Sequence, residues 1–147
     1  MSFSIEHRVG IKSELNYIYE CLTTTTGLAG WWTSDTQGNG DDGSILEFRF
    51  NDTCLKFIVS KNSPLKAVEW TYQEGGHPEW EGTKISFQLV EDQGQVFVRF
   101  AHSGWKKVTD FMAHCSTKWA VFLLSLKDFI EKGKGSPFPN DVQIDHC

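Results

Sequence analysis

A long run of apolar residues at helical spacing near the C-terminal end most constrains the fold of this chain. From Val108 to Ile130, large apolar side chains recur every three or four residues, and lysines and acidic residues fill the other positions. Gly133 predicts the end of this helix, and the prolines at 137 and 139 prevent its continuation. A helix of this length with one apolar face must pack against another apolar surface.

Alternating segments that precede the helix predict that surface. Apolar and polar residues alternate with period 2 in six segments, the first over residues 3–11 and the others between residues 44 and 102. Short turn sequences such as Asn51-Asp52 and Glu91–Gly94 separate neighbouring segments. Connections this short predict an antiparallel meander of strands.

Two short helices are predicted between the first and second strands. Ser13 is expected to cap the first helix, which should end at the threonines 23–26 and Gly27. A second helix is expected over residues 27–32, followed by a polar loop over residues 33–43.

The order of elements predicts an α+β fold. We expect a curved antiparallel six-stranded sheet wrapped around the long C-terminal helix, with two short helices after the first strand, in one domain over residues 1–147. One helix cannot fill the whole concavity of such a sheet, so a cavity is expected between them. Because the chain has 11 Phe and 6 Trp, its walls should be aromatic. The expected wall residues are Trp32, Phe48, Phe57, Val68, Trp70, Phe87, Val98, Phe100, Phe111, Cys115, Trp119 and Phe122.

Two histidines fall in the apolar phase of their strands and are expected to face the same cavity. A neutral imidazole at His7 or His102 could orient a ligand or act as a general base. The alternative is a structural histidine near a strand end, which we favour because no carboxylate is placed by the sequence to orient either ring. The chain has no G-x-S-x-G nucleophile motif, and no residue is assigned a catalytic role.

Charge and composition argue against several classes of partner. The net charge is −5, with no long basic run, so neither nucleic acid nor a membrane surface is an expected partner. No run of 18 apolar residues could span a bilayer. The N-terminal residues lack the features of a signal peptide, so the cytoplasm is the expected location.

No metal or cofactor is expected. The four cysteines, at positions 21, 54, 115 and 147, form no C-x-x-C pair, and reduced packing or surface thiols are predicted. Residues 38–43 match G-x-G-x-x-G literally, but a helix precedes them, a strand follows, and two aspartates would repel phosphate. This segment is predicted to be a loop without a nucleotide.

Several short motifs, taken in order, carry a resemblance to a known family. They are Ser13-Glu14-Leu15, Leu22-Thr23-Thr24, Gly27-Leu28, Trp31-Trp32, Val68-Glu69-Trp70, Phe100–Trp105 and Lys118-Trp119. With them the chain resembles the homologues of the C-terminal domain of the activator of the heat-shock-protein-90 ATPase, within the START-like (SRPBCC) superfamily of helix-grip proteins. The resemblance implies binding of lipids, sterols, polyketides or other apolar molecules, and it supplies no shared catalytic residues. One departure is Lys118, where a glycine commonly precedes the helix tryptophan, and this side chain is expected to narrow the cavity.

Three functional hypotheses follow. The leading one is a non-enzymatic domain that holds a small hydrophobic molecule between the sheet and the long helix, with His7 or His102 as a polar contact. The second is an interaction module that stimulates a chaperone ATPase, although the activator itself has a separate N-terminal domain for which 147 residues leave no room. The third is a cyclase or hydrolase using a cavity histidine, against which the absent acid–base set argues.

Overall fold

Seven antiparallel strands form one curved, open sheet in the computed structural model, which describes residues 1–145. The elements in chain order are β1 (Phe3–Ile11), α1 (Leu15–Thr23), α2 (Thr25–Trp31), β2 (Thr36–Gln37), β3 (Ile45–Phe50), β4 (Thr53–Ser63), β5 (Ala67–Glu74), a 3-10 turn (Pro78–Trp80), β6 (Lys84–Asp92), β7 (Gln95–Trp105) and α3 (Asp110–Lys132). The strand order in the sheet is β1-β7-β6-β5-β4-β3-β2. The first strand thus lies beside the last one, and all seven strands precede α3 in the chain.

The alternation of apolar and polar residues decides which side chains lie on the inner face of the sheet. Ile5 lies opposite His102, and Phe87 lies opposite Phe100, with all four side chains buried. Side chains of the opposite phase, such as Arg99, are exposed. The α+β helix-grip fold is therefore confirmed: a curved sheet holds a long C-terminal helix, with two short helices after the first strand.

The prediction of six strands was wrong by one strand. The additional strand, β2, lies in the segment predicted to be a polar loop, and pairs Thr36 with Phe48 and Gln37 with Glu47. Thr36 is buried, and its hydroxyl donates to the Thr33 carbonyl over 2.8 Å. A strand of two residues has no measurable periodicity, so the pattern of residues 33–43 could not reveal it.

The boundary between the two short helices also differs from the prediction. The residue that precedes α1 is Glu14 rather than Ser13, and it makes no side-chain capping hydrogen bond. Gly27 lies inside α2 instead of ending α1, and the Thr24 hydroxyl caps α2 by accepting from the Gly27 N–H over 3.0 Å. A Cβ at Gly27 would lie 2.5 Å from the Cys21 Cα. Glycine is therefore required there by the close approach of two helices.

The long helix begins two residues later than predicted and ends where predicted. The Thr109 hydroxyl accepts from the Met112 N–H over 3.1 Å and caps α3, so Val108 lies outside the helix and is exposed. Gly133 follows the last turn with a φ of 81°, a conformation that glycine adopts without strain. In the described part of the chain, none of the helices is long and apolar enough to cross a membrane.

Aromatic rings fill most of the space between α3 and the sheet. Trp31 packs edge-on against Phe87, with ring centroids 6.0 Å apart, and donates its indole N–H to the Cys21 carbonyl over 2.9 Å. The Trp70 ring also contacts Phe87, with ring centroids 5.1 Å apart. These side chains interlock and fill the space in front of Phe87, and a cavity lies toward one end of the sheet.

Candidate functional site

A cavity of about 460 Å³ lies at that end of the molecule. The β3–β4 hairpin and the loop before β6 form one side, the first half of α3 forms another, and the C-terminal tail closes the third. Its lining residues are Trp32, Phe50, Thr53, Leu55, Gly76, His77, Trp80, Phe111, His114, Cys115, Lys118, Trp119, Phe122, Phe138, Asp141 and Gln143. The lining is mainly aromatic, with a few polar groups on the side of the helix and the tail.

Trp32 is the centre of the aromatic wall. Its ring lies 4.2 Å from Phe48, 5.0 Å from Trp119 and 5.6 Å from Phe50, measured between centroids. It is also parallel to Trp70 within 12° at 6.0 Å. Rings held from several sides in this way have little freedom to move and form a rigid part of the wall.

The structure places five of the fourteen predicted site residues at the cavity. They are Trp32, Phe111, Cys115, Trp119 and Phe122. Seven others are buried in the packed interior beside it: Phe48, Phe57, Val68, Trp70, Phe87, Val98 and Phe100. Their inward direction follows from the period-2 pattern, but their neighbours fill the space in front of them.

The remaining two predicted residues, the histidines, make structural contacts. His102 is fully buried, with Nε2 3.0 Å from the Thr83 hydroxyl and Nδ1 3.1 Å from the Trp119 Nε1. Since an indole nitrogen only donates, Nδ1 accepts and Nε2–H donates to Thr83. Thr83 in turn donates to the Trp80 carbonyl over 2.6 Å. Burial lowers the pKa of His102 to about 3, so the ring is neutral and both nitrogens are engaged.

His7 lies away from the cavity. Its Nε2 is 3.0 Å from the Ser116 carbonyl oxygen on α3, and its ring is stacked on Phe100 with centroids 6.2 Å apart. The imidazole therefore ties β1 to the long helix. Neither of the two predicted histidines has a free nitrogen directed at the cavity.

Sequence reasoning missed the tail side of the cavity. Phe138 packs on Phe50 at 5.1 Å, donates its backbone N–H to the Trp32 carbonyl over 2.7 Å, and accepts from the Ser34 N–H over 3.2 Å. The segment after α3 has no periodicity, so only its prolines and glycines could be interpreted. The alternating pattern predicts that Phe50 and Leu55 face inward. Their position at the cavity depends on the curvature of the sheet, which the pattern does not give.

The polar side of the cavity centres on an ion pair. Lys118, the departure from the family pattern, lines the cavity and binds the Asp141 Oδ2 and, over 2.8 Å, the Val142 carbonyl. The Asp141 side chain is only 1% exposed. Its other oxygen, Oδ1, has no hydrogen-bond partner among residues 1–145.

A stack of three rings borders the mouth of the cavity. Phe111 lies between His77, at 3.7 Å, and His114, at 6.2 Å, with both imidazoles within 20° of parallel. The His77 Nδ1 accepts from the Glu79 N–H over 3.1 Å, and the His114 Nδ1 lies 3.1 Å from the Asp145 Oδ2. The exposed His77 and the partly exposed His114 extend the aromatic lining toward the solvent.

The cysteine at the cavity is a packing residue rather than a nucleophile. Burial raises the pKa of the Cys115 thiol to about 11, with a contact to Trp80 opposing the shift. At neutral pH the thiol therefore stays protonated. The described residues contain no group of three His, Cys, Asp or Glu side chains able to hold a metal ion, and Cys147 lies outside them.

The curved sheet, the gripped helix and the cavity between them define a helix-grip protein of the START-like class. The solved structure of the Aha1 dimer from Colwellia psychrerythraea is similar, with 53% sequence identity and a TM-score of 0.84, over 90% of this chain and 99% of that chain. The chain therefore belongs to the Aha1 family, the homologues of the heat-shock-protein-90 ATPase activator. The resemblance read from the sequence motifs is confirmed.

More distant structures share the fold alone. SSP2350 from Staphylococcus saprophyticus is 15% identical, with a TM-score of 0.75 over 90% of this chain and 95% of that chain. DynU16, from the dynemicin biosynthetic locus, is 15% identical, with a TM-score of 0.73 over 90% of this chain and 48% of that chain. No protein-family model matches the chain, and none of the curated proteins matches it.

Proposed function

We propose that this protein binds a small apolar molecule in the cavity between the sheet, α3 and the C-terminal tail. One observation carries the proposal: a cavity of about 460 Å³ with a mainly aromatic lining lies between the sheet, α3 and the tail. Ligand pockets of drug-sized molecules have volumes of about 300–1,000 Å³ and mostly apolar walls. A ligand that buried roughly 200 Å² of apolar surface would gain about 5 kcal/mol before the costs of association.

The aromatic lining of the cavity favours a ligand with rings. The Trp32 and Trp119 rings lie 5.0 Å apart at an angle of 40°, and the Phe122 ring lies 6.5 Å from Trp32 at an angle of 70°. Offset stacking on such surfaces contributes about 0.5–1.5 kcal/mol per ring pair beyond area burial. Aromatic or polycyclic skeletons therefore suit the site better than a flexible acyl chain.

Thermal shift with a panel of apolar probes tests the proposal. At a hundredfold excess over Kd, binding adds about 2.7 kcal/mol to the free energy of unfolding. For a chain of this size that corresponds to a rise in Tm of roughly 5–10 °C. Trp32, Trp80 and Trp119 line the cavity, so Trp fluorescence should change on binding. If no member of the panel changes either Tm or fluorescence, the cavity does not serve as a binding site.

A matched pair of variants locates the binding. Cys115→Trp fills the cavity from α3 and should abolish the thermal shift, whereas Cys54→Trp places the same ring on the opposite face of β4 and should leave it intact. Native mass spectrometry of the purified protein would show the mass of any retained ligand. Equal loss of binding in both variants would point away from the cavity.

We infer a second candidate function, the stimulation of a chaperone ATPase. The observation that favours it is the 53% sequence identity to the Aha1 chain from Colwellia psychrerythraea. The similarity covers 99% of that chain. A separate N-terminal domain is thus not part of that solved chain. Adding the purified protein to a chaperone of the heat-shock-protein-90 class should raise its rate of ATP hydrolysis. Stimulation by the Cys115→Trp variant would show that this activity uses a surface other than the cavity.

The geometry gives less support to the cyclase or hydrolase hypothesis. The buried histidine His102 lies outside the cavity, has both ring nitrogens engaged and has a pKa of about 3. A general base needs a free nitrogen within reach of the substrate and a pKa closer to the working pH. The contacts and the lowered pKa of His102 thus fit a structural role in the folded protein rather than a role in proton transfer.

A further inference from the structure

One edge of the sheet has backbone groups that pair with nothing in the described part of the chain. Strand β1 lies at this edge, with β7 as its neighbour on the other side. In an antiparallel strand, a residue directs its N–H and C=O to the same side, and the side alternates along the strand. The Gly10 carbonyl accepts from the Lys127 ammonium, and the Lys12 N–H donates to the Glu131 Oε2 over 2.9 Å. Both partners lie on α3, so the even-numbered residues of β1 direct their backbone groups away from β7.

Three even-numbered residues remain open along this edge: Ser4, Glu6 and Arg8. All three are exposed, and within residues 1–145 no hydrogen bond joins their outward backbone groups to another element. A row of unpaired N–H and C=O groups on an edge strand is a template for a further strand. Charged side chains usually prevent such pairing, unless the incoming strand has complementary charges. The charges of β1 therefore decide which strand its edge accepts.

The charges of β1 are complementary to those of a second copy of the same strand. Two copies pair as antiparallel strands about a two-fold axis, and their outward residues face each other only if the axis is centred on one residue. With the axis at His7, Glu6 lies opposite Arg8 of the second copy, and Arg8 lies opposite its Glu6. An axis at Glu6 or at Arg8 places like charges opposite each other, which destabilises a strand pair. The register centred on His7 is therefore favoured.

Both faces of the strand fit this register. On the inner face, Ile5 is buried and Val9 is half-buried against the core, and each lies opposite the other residue of the second copy. On the outer face, the Arg8 guanidinium lies 3.5 Å from the Phe97 ring centroid. Neither Arg8 nor Glu6 forms an ion pair within residues 1–145. Both charges are thus available to a second copy.

We propose that β1 is an interface between two copies of this chain, paired antiparallel with the two-fold axis at His7. Each opposed pair of Glu6 and Arg8 exchanges both of its backbone N–H···O=C bonds and adds an ion pair on the outer face. The two sheets then form one continuous sheet. A single strand pair buries less than the ~1,200 Å² of a stable interface, so the dimer dissociates on dilution. Among the described residues, those that line the cavity include none from β1, so the interface is separate from the proposed ligand site.

Charge reversal on β1 tests the proposal. Sedimentation velocity over a range of protein concentrations gives the dimer Kd of the wild type, of Glu6→Arg, of Arg8→Glu and of the double variant. Each single reversal creates two like-charge pairs across the axis and should raise Kd by about tenfold or more. The double variant restores opposite charges at both places, and its Kd should return to within about threefold of the wild-type value. Arg49→Glu makes the same charge change at an exposed position of β3 and should leave Kd unchanged.

Three results would overturn the proposal. The first is a wild-type protein that stays monomeric at its highest soluble concentration. The second is a dimer whose Kd changes in neither single variant, because it would use another surface. The third is a double variant that remains as weak as the single variants, because the register centred on His7 requires restoration. Circular dichroism confirms that each variant is folded.

Amide hydrogen exchange of the wild type gives a measurement that needs no variant. As the protein concentration rises, exchange should slow at the Glu6 and Arg8 N–H groups, which face the second copy. The Ile5 and His7 N–H groups face β7 and should exchange at an unchanged rate. If dimer formation slows neither Glu6 nor Arg8, the two copies do not pair through this edge.

Discussion

The Trp119 indole donates to the His102 Nδ1 over 3.1 Å and thereby joins the middle of α3 to strand β7. The two rings meet edge to face, with centroids 6.0 Å apart. Trp119 also forms part of the cavity wall. The position of one wall residue thus depends on a buried histidine that itself lies outside the cavity.

Replacing His102 should destabilise the protein strongly. His102→Ala removes a fully buried ring, leaves the Trp119 N–H without an acceptor and removes the donor to the Thr83 oxygen, which keeps its own bond to the Trp80 carbonyl. We expect a loss of about 3 kcal/mol in the free energy of unfolding, measured by urea denaturation. His7→Ala is the control, since that ring is half-buried with a backbone acceptor, and it should cost about 1 kcal/mol. Similar losses in both variants would contradict this account of His102.

The same histidine should make stability depend on pH. The unfolded chain binds a proton at His102 near pH 6.5, whereas the folded chain resists it until about pH 3. Below pH 6.5 the unfolded state therefore binds more protons, and the free energy of unfolding falls as pH is lowered toward 3. Between pH 6.5 and pH 5 the loss should be about 2 kcal/mol. His102→Gln, which can still accept and donate, should lack this component, and a wild-type profile as flat as that of the variant would disprove it.

Gly27→Ala should destabilise α2, although alanine is the better helix former. Intrinsic propensity alone would stabilise the helix by about 1 kcal/mol. The new Cβ, however, would come 2.5 Å from the Cys21 Cα, and a backbone atom cannot move aside easily. We expect a net loss of about 1–3 kcal/mol in thermal or chemical denaturation. Thr26→Ala, at the exposed neighbouring position, should be neutral or slightly stabilising. A stabilising Gly27→Ala would show that the helices can separate.

Phe138→Ala should open the cavity without unfolding the protein. The ring is half-buried against Phe50, while the backbone bonds of residue 138 to Trp32 and Ser34 would remain. We expect a loss of about 1–2 kcal/mol and stronger quenching of Trp fluorescence by acrylamide, because the ring is lost from the lining of a cavity that Trp32 also lines. Val142→Ala, at an exposed tail position, should change neither quantity. Unchanged quenching in Phe138→Ala would mean that the tail does not cover the cavity.

Local patterns predicted most of the secondary structure for a physical reason. Burial on one face imposes a period of 2 on β4 and of 3.6 on α3, so both elements are visible in the sequence. The turn at Asn51-Asp52 joins β3 to β4 as predicted, with Asn51 at a φ of 57°. By contrast, β2 has two residues and no period, and Gly27 is required by a contact between helices rather than by a turn.

The sequence by itself determined which side chains face the interior, because that direction depends only on the local backbone period. Tertiary structure decided which of them border open space. Trp32 and Phe87 both face inward, but only Trp32 borders the cavity, because Trp31 and Trp70 pack against Phe87. The pairing of Lys118 with Asp141 likewise joins residues 23 positions apart, through a tail without any repeating pattern. Such contacts depend on how the sheet curves and where the chain returns, and these are properties of the packed molecule as a whole.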